Sequence, residues 1–377
     1  MRPSAGILKR TTQADITYSE SIMPEKLKLA IVGLGRIGAL HSQHAVELAL
    51  SNRNCQLSAI VDARVEHARA MAEKLASEQG APIQAYAKVE ELIDAGACDA
   101  AVVCTPTDQH GTHVRSLARA GKRVMVEKSL TGSLEGDLEL AAELDSSYPN
   151  AVMLAFQGRF DEPLQEAKKL LDEGAIGRPF KIVAALEDSG PVPPGYISTS
   201  LFLGMAIHNL DDVLWFAGEM PIGIVSLGSR LYAHKLSTTP EDFNDGFIAL
   251  WFPGDLLAQV SVSRNHVSGY RVEIWIYGEN GQIHVGRFEQ NKKEVVLEAY
   301  DRTKRIEFKK YPSRDYGREV PEFVERFGNA YKRELADFVS CCRLNQAFSV
   351  THRDGLRAME VMAAATRSTI GPSALNF

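Results

Sequence analysis

The chain has 377 residues, of which 45% are hydrophobic, enough to bury two sizeable cores, so two domains are expected. Its 42 basic and 48 acidic residues leave a net charge of -6, with no basic excess to favour nucleic acid or an anionic membrane as partner. No apolar run reaches the roughly 18 residues that span a bilayer, and the N-terminus lacks the apolar core of a secretory signal, so a cytoplasmic protein with a small ligand is expected.

Residues 1–25 are polar and aperiodic and read as a flexible extension. Then Leu29 to Val32, an apolar run, passes directly into Gly33, Gly35 and Gly38 at GxGxxG spacing. This is the pattern of a strand feeding a phosphate-binding turn: two glycines allow a tight turn and close approach of backbone to a pyrophosphate. The third lets the next helix lie against the strand with its N-terminus toward the anion. A second apolar run, Leu57 to Val61, ends at Asp62, placed to accept hydrogen bonds from an adenosine ribose. That carboxylate would repel a 2′-phosphate, so NAD is expected over NADP, with the nearby Arg64 as the counter-signal.

Further strands are expected at Ile83 to Tyr86, Ala100 to Cys104 and Arg123 to Val126. Helices are expected at Ile37 to Leu50, Val65 to Gln79, His110 to Ala120 and Leu134 to Leu144, with Gly80 and Gly121 as stops. This alternation is the rhythm of a doubly wound parallel sheet over residues 26–150, whose ligand edge would carry Cys104, Thr105, Pro106, Glu127 and Lys128. Across residues 151–377 the pattern changes. A strand at Ala151 to Phe156, a helix at Glu162 to Asp172 and a strand at Phe180 to Leu186 precede a Pro- and Gly-rich loop, Ser189 to Gly195, and a helix at Leu201 to Ala217. Seven closely spaced β runs between Ile222 and Phe308 imply a largely antiparallel sheet, and helices at Pro321 to Arg343 and Arg353 to Thr369 finish the chain.

Lys128, at a strand end, is a candidate acid/base whose partial burial would lower its pKa. His208, Asp211, Asp212 and Trp215 share one helical face, opposite an apolar stripe of Leu203, Ile207, Leu210 and Leu214, so the polar face would meet a cleft or solvent. The five cysteines have no CxxC spacing, and His110 and His113 lack a third ligand, so no metal site is expected.

Gly33-Leu-Gly-Arg-Ile-Gly38, Cys104-Thr-Pro-Thr with His110, Gly121-Lys-Arg-Val-Met-Val-Glu-Lys128, Gly158-Arg-Phe160, His208 with Asp211 and Trp215, and Ser263-Arg264 with Gly269-Tyr-Arg-Val-Glu273 together resemble the Gfo/Idh/MocA oxidoreductases. Among these the chain is most similar to inositol and sugar dehydrogenases. The resemblance implies an α/β protein in which a Rossmann domain precedes an α/β domain with an open sheet, assembled as a homodimer or homotetramer. It implies NAD-dependent oxidation of a secondary hydroxyl of a polyol, cyclitol or sugar, with Lys128 and His208 flanking that hydroxyl. Arg36, Ile37, Cys104, Thr105, Pro106, His110, Glu127 and Lys128 would join the cofactor contacts, and Arg159, Asp211, Arg264 and His266 the substrate contacts. Two departures stand out. Ser129 replaces the proline that usually follows the lysine after a cis bond, and Gly204 replaces an aspartate one turn before the histidine. These departures favour the alternative of a dinucleotide-binding regulator without turnover; a further alternative is NAD-assisted glycoside cleavage.

Overall fold

The computed structural model describes residues 26–52, 54–188, 200–231, 242–267, 269–286 and 293–370. The extension 1–25 and the loop Ser189 to Gly195 lie outside them. The first half alternates strand and helix: β1 (Leu27–Val32), α1 (Arg36–Asn52), β2 (Cys55–Val61), α2 (Val65–Gln79), β3 (Gln84–Tyr86), α3 (Val89–Asp94), β4 (Ala100–Val103), α4 (Thr107–Arg119), β5 (Arg123–Glu127), α5 (Leu134–Ser147) and β6 (Val152–Ala155). The strands form one parallel sheet in the order β3-β2-β1-β4-β5-β6. Their near-continuous apolar runs are buried on both faces, as a parallel sheet covered by helices on either side requires. The strand order reverses between β1 and β4, which opens a crevice at their carboxyl ends. The sheet extends past residue 150, to Ala155.

A short 3₁₀ turn, Gln157–Phe160, leads to α6 (Glu162–Asp172) and β7 (Pro179–Glu187). After the loop, a π-helical turn, Phe202–Ala206, continues directly into α7 (Ile207–Ala217). The remaining strands are β8 (Gly223–Ser229), β9 (Asp245–Trp251), β10 (Leu257–Ser263), β11 (Arg271–Gly278), β12 (Gly281–Gly286), β13 (Glu294–Asp301), β14 (Arg305–Pro312) and β15 (Thr369–Ile370). They join β7 in a nine-stranded sheet, β14-β13-β12-β11-β7-β10-β9-β8-β15, antiparallel except for the pairs β7/β10 and β8/β15. Strict alternation along β11 and β9 leaves one face of this sheet packed and the other open.

The last two helices, α8 (Glu322–Leu344) and α9 (His352–Arg367), return to the nucleotide-binding half. α8 lies along α1, where Glu47 accepts from Arg314 at 2.6 Å and pairs with Lys332 at 2.8 Å. α9, whose N-terminus carries a Thr351/Asp354 capping box, lies against α5, with His352 2.8 Å from Asp145.

Candidate active site

At the end of β1 the Gly33 N–H donates to the Val61 carbonyl, and Gly33 adopts φ 92°, a left-handed conformation that favours glycine. A Cβ on Gly33 would sit 2.8 Å from the Thr105 nitrogen, and one on Gly38 only 1.8 Å from the Gly33 carbonyl oxygen, so side chains are excluded at both positions. Gly35 and Arg36 open the N-terminus of α1 to solvent, and the Arg36 guanidinium lies 5.5 Å from the Phe323 ring centre. Ile37 packs partly buried against the core. The cleft above this turn has a volume of about 480 Å³ and is walled by Gly33 to Gly35, Asp62, Arg64, Lys88 and Cys104 to Pro106. Asp62 Oδ2 accepts from the Leu34 N–H at 2.8 Å and Oδ1 from the Arg64 N–H at 2.9 Å. Burial raises the pKa of Asp62, but these donors and the Arg64 guanidinium outweigh it, and the carboxyl stays below its ordinary value.

Farther along the same edge, β5 delivers Glu127 and Lys128, and the Lys128–Ser129 peptide is cis. Lys128 Nζ donates to the Gly204 carbonyl, 3.0 Å away in the π-helical turn. Burial lowers the Lys128 ammonium to about 8, with Glu127 opposing the shift and Arg264 adding to it. His208 stands at the start of α7 with its ring edge-on to Phe156, centroids 6.3 Å apart. Burial, and then repulsion from Lys128, lower its pKa well below the ordinary value, so the imidazole is neutral at neutral pH. A neutral imidazole carried by α7 thus lies close enough to the amine that follows β5 for the charge of Lys128 to act on it.

Five residues expected as cofactor or substrate contacts already have partners within the protein. His110 is buried, with Nδ1 2.7 Å from the Ser129 carbonyl and Nε2 2.8 Å from the Thr105 carbonyl, so it braces the two ligand-edge loops from behind and does not reach the cofactor cleft. Arg159 and Asp211, expected as substrate contacts, form a bidentate pair at 2.7 Å with the guanidinium also 5.2 Å from the Trp215 ring centre. The polar face of α7 is therefore anchored rather than open: Asp211 and Asp212 are both buried. Arg264 is buried near Lys128, 3.7 Å from Asp242, and His266 Nδ1 lies 2.6 Å from the Gly269 carbonyl. The structure also gathers residues that sequence spacing does not connect. His41 from α1 lies 3.2 Å from Glu127, and the donor atoms of His41, Cys104 and Glu127 fall within 4.8 Å of one another. Glu334 of α8 is buried alongside, close enough for its charge to act on Glu127. Glu334 joins this cluster through the packing of α8 on α1.

The description "Oxidoreductase family, NAD-binding Rossmann fold" of Gfo/Idh/MocA matches residues 27–154, and that of the C-terminal alpha/beta domain matches residues 168–371. The chain belongs to the Gfo/Idh/MocA oxidoreductase family. This Gfo/Idh/MocA oxidoreductase is 28% identical to the myo-inositol 2-dehydrogenase of Thermotoga maritima, over 91% of the chain and 96% of that relative. It is 29% identical to the scyllo-inositol 2-dehydrogenase (NAD(+)) of Bacillus subtilis, over 92% and 95%. The crystal structure of myo-inositol 2-dehydrogenase from Lactobacillus plantarum superposes with a TM-score of 0.74 at 25% identity, covering 91% of this chain and 97% of the other.

The glycine turn fits the family's NAD: the two positions where a Cβ would collide leave bare backbone beside the N-terminus of α1, where a pyrophosphate is held. Asp62 lines the same cleft, where its carboxylate would accept from an adenosine ribose. Asp62→Ala is expected to weaken NAD binding about 10- to 100-fold, the loss of hydrogen bonds to a charged acceptor, and to narrow the preference over NADP. Arg64, 73% exposed and 3.4 Å from Asp62, would then be free to meet a 2′-phosphate. Titration of both dinucleotides checks this; unchanged NAD affinity would remove Asp62 from the site.

Proposed function

We propose that this oxidoreductase transfers a hydride from a secondary hydroxyl of a cyclitol or sugar to NAD, with Lys128 as the acid/base and His208 assisting. The observation that carries the reading is the meeting of Lys128, at the carboxyl edge of the nucleotide-binding sheet, with neutral His208, from the second domain. The substrate class rests on similarity to inositol dehydrogenases over nine-tenths of the chain.

NAD, when bound, accepts the hydride. Neutral Lys128 takes the hydroxyl proton and becomes an ammonium, while the His208 N–H donates to the same oxygen as negative charge gathers there. In the reverse direction the Lys128 ammonium returns the proton to the forming alcohol. Arg264, close enough for its charge to act on Lys128, and His266 are proposed as further substrate contacts; Arg159 and Asp211 support the helix that holds His208.

Since oxidation requires the neutral amine and burial lowers Lys128 to about 8, kcat/KM for alcohol oxidation is expected to rise about tenfold per pH unit below that value and level off above it. A profile flat from neutral to alkaline pH would remove Lys128 as the base. The reaction itself is tested by following NADH formation against inositols, hexoses, pentoses and uronates. Turnover on none, with tight dinucleotide binding, would replace the enzyme reading with that of a regulator.

Assembly through the open sheet face is part of the same proposal. Leu227 and Phe247 are register partners, as are Trp251 and Leu257, and all four are exposed on one face. Such an apolar patch fits a second copy of the chain. Sedimentation of the native protein is expected to show a dimer or tetramer, and Phe247→Lys with Trp251→Lys to dissociate it; a native monomer would contradict the assignment.

A further inference from the structure

Lys128 hydrogen-bonds a backbone carbonyl from a single irregular turn. The Ile207 N–H reaches back five residues to the Phe202 carbonyl, the signature of a π turn, and α7 proceeds regularly from there. One residue more than an α-helix needs is therefore accommodated just before His208. The phase of the helix changes accordingly: Ile207, Leu210 and Leu214 are buried as a regular apolar stripe, whereas Leu203 falls out of line and is only partly buried. Position 204 consequently does not stand one regular α turn below His208. It presents its carbonyl to Lys128 Nζ at 3.0 Å.

We propose that this π turn is a positioning device for the reaction, with the Gly204 carbonyl as the acceptor that holds Lys128 and meets the positive charge it acquires. The inference rests on the assignment of Lys128 as the base. A preorganised dipole aimed at a developing charge needs no reorganisation during the reaction, and in a buried site it is worth more than in water. A carbonyl is also neutral. A carboxylate in its place would favour the ammonium more strongly than the neutral carbonyl does, so the carbonyl stabilises the charge with a smaller rise in the pKa of the amine. The same helix thus sets two groups in register: the imidazole through a side chain, and the acceptor for the amine through its backbone.

The test weakens that one acceptor in the full-length protein. Methionine at position 205 is replaced by its α-hydroxy acid, which turns the 204–205 amide into an ester: the Gly204 carbonyl becomes a poorer acceptor and the Met205 N–H is lost, with no side chain changed. The kcat for alcohol oxidation is expected to fall about tenfold or more, within the range for a hydrogen bond to a charged group. The midpoint of the pH profile should move below about 8, because a bond that favoured the ammonium has been weakened. Dinucleotide affinity should stay within about twofold, since the change lies outside the nucleotide cleft. Deletion of Leu203, which restores the α-helical residue count, should lower kcat by about 10²-fold through misplacement of the carbonyl and His208. An ester variant whose pH profile and kcat superimpose on those of the native protein overturns the inference. Should Lys128→Ala retain turnover, the assignment of the base fails instead, so the two failures are distinguishable.

Discussion

Lys128→Ala is expected to lower turnover by about 10²- to 10⁴-fold, the usual contribution of a general acid or base, while dinucleotide affinity changes little. The amine stands at the end of β5, away from the glycine turn and Asp62 that line the nucleotide cleft, so its removal leaves those contacts in place. It also leaves the Gly204 carbonyl without its lysine donor. That loss tends to destabilise the π turn, so the variant must be checked for a native unfolding midpoint before its kinetics are read. Near-native turnover in a folded variant that binds NAD would refute the catalytic assignment.

Arg326→Ala is expected to destabilise the protein by about 3–5 kcal/mol, the range for removing one partner of a buried ion pair. Arg326 donates to both oxygens of Asp161, at 2.8 and 2.7 Å, and neither side chain has appreciable access to water. Without the guanidinium, Asp161 remains a buried charge beside Asp212. Burial already raises the Asp212 carboxyl well above its ordinary pKa, repulsion from Asp211 and Asp161 adds to the shift, and Arg159 and Arg326 oppose it. Gly158 packs against Asp212 so closely that a Cβ there would lie 2.4 Å from its Oδ1. Urea unfolding measures the cost. A loss below about 1 kcal/mol would mean that water reaches Asp161 readily and that the pair is no more than a surface bridge.

The nucleotide-binding half was legible because its signals are local. The apolar runs at Leu29 and Leu57, the glycine spacing and Asp62 each lie on one strand or one turn, and no distant contact is needed to read them. The second half was legible in its elements but less so in their roles. The Arg159–Asp211 pair joins residues far apart in sequence, and an amphipathic reading of α7 cannot distinguish a polar face that lines a cleft from one that is neutralised by a partner. A motif gives position but not direction: the His110 ring lies between the Ser129 and Thr105 carbonyls, which no spacing foretells. The π turn is hidden in the sequence for a similar reason. Helical periodicity assumes a constant angle per residue, and a single extra residue changes that angle only once, leaving the apolar stripe after Ile207 intact.

The return of the last two helices to the first sheet means that domain order along the chain and mechanical division in space do not coincide. α8 carries Lys332 and Glu334 to α1, and α9 sets His352 against Asp145 of α5. A fragment ending after β6 would therefore lose part of its own covering layer, although every strand of its sheet would be present. The nucleotide-binding half is not a cassette that can be cut out or exchanged at one junction. A working chimera would have to carry residues 313–367 together with residues 26–155, as two separated pieces of one unit, with all but the last strand of the second sheet inserted between them.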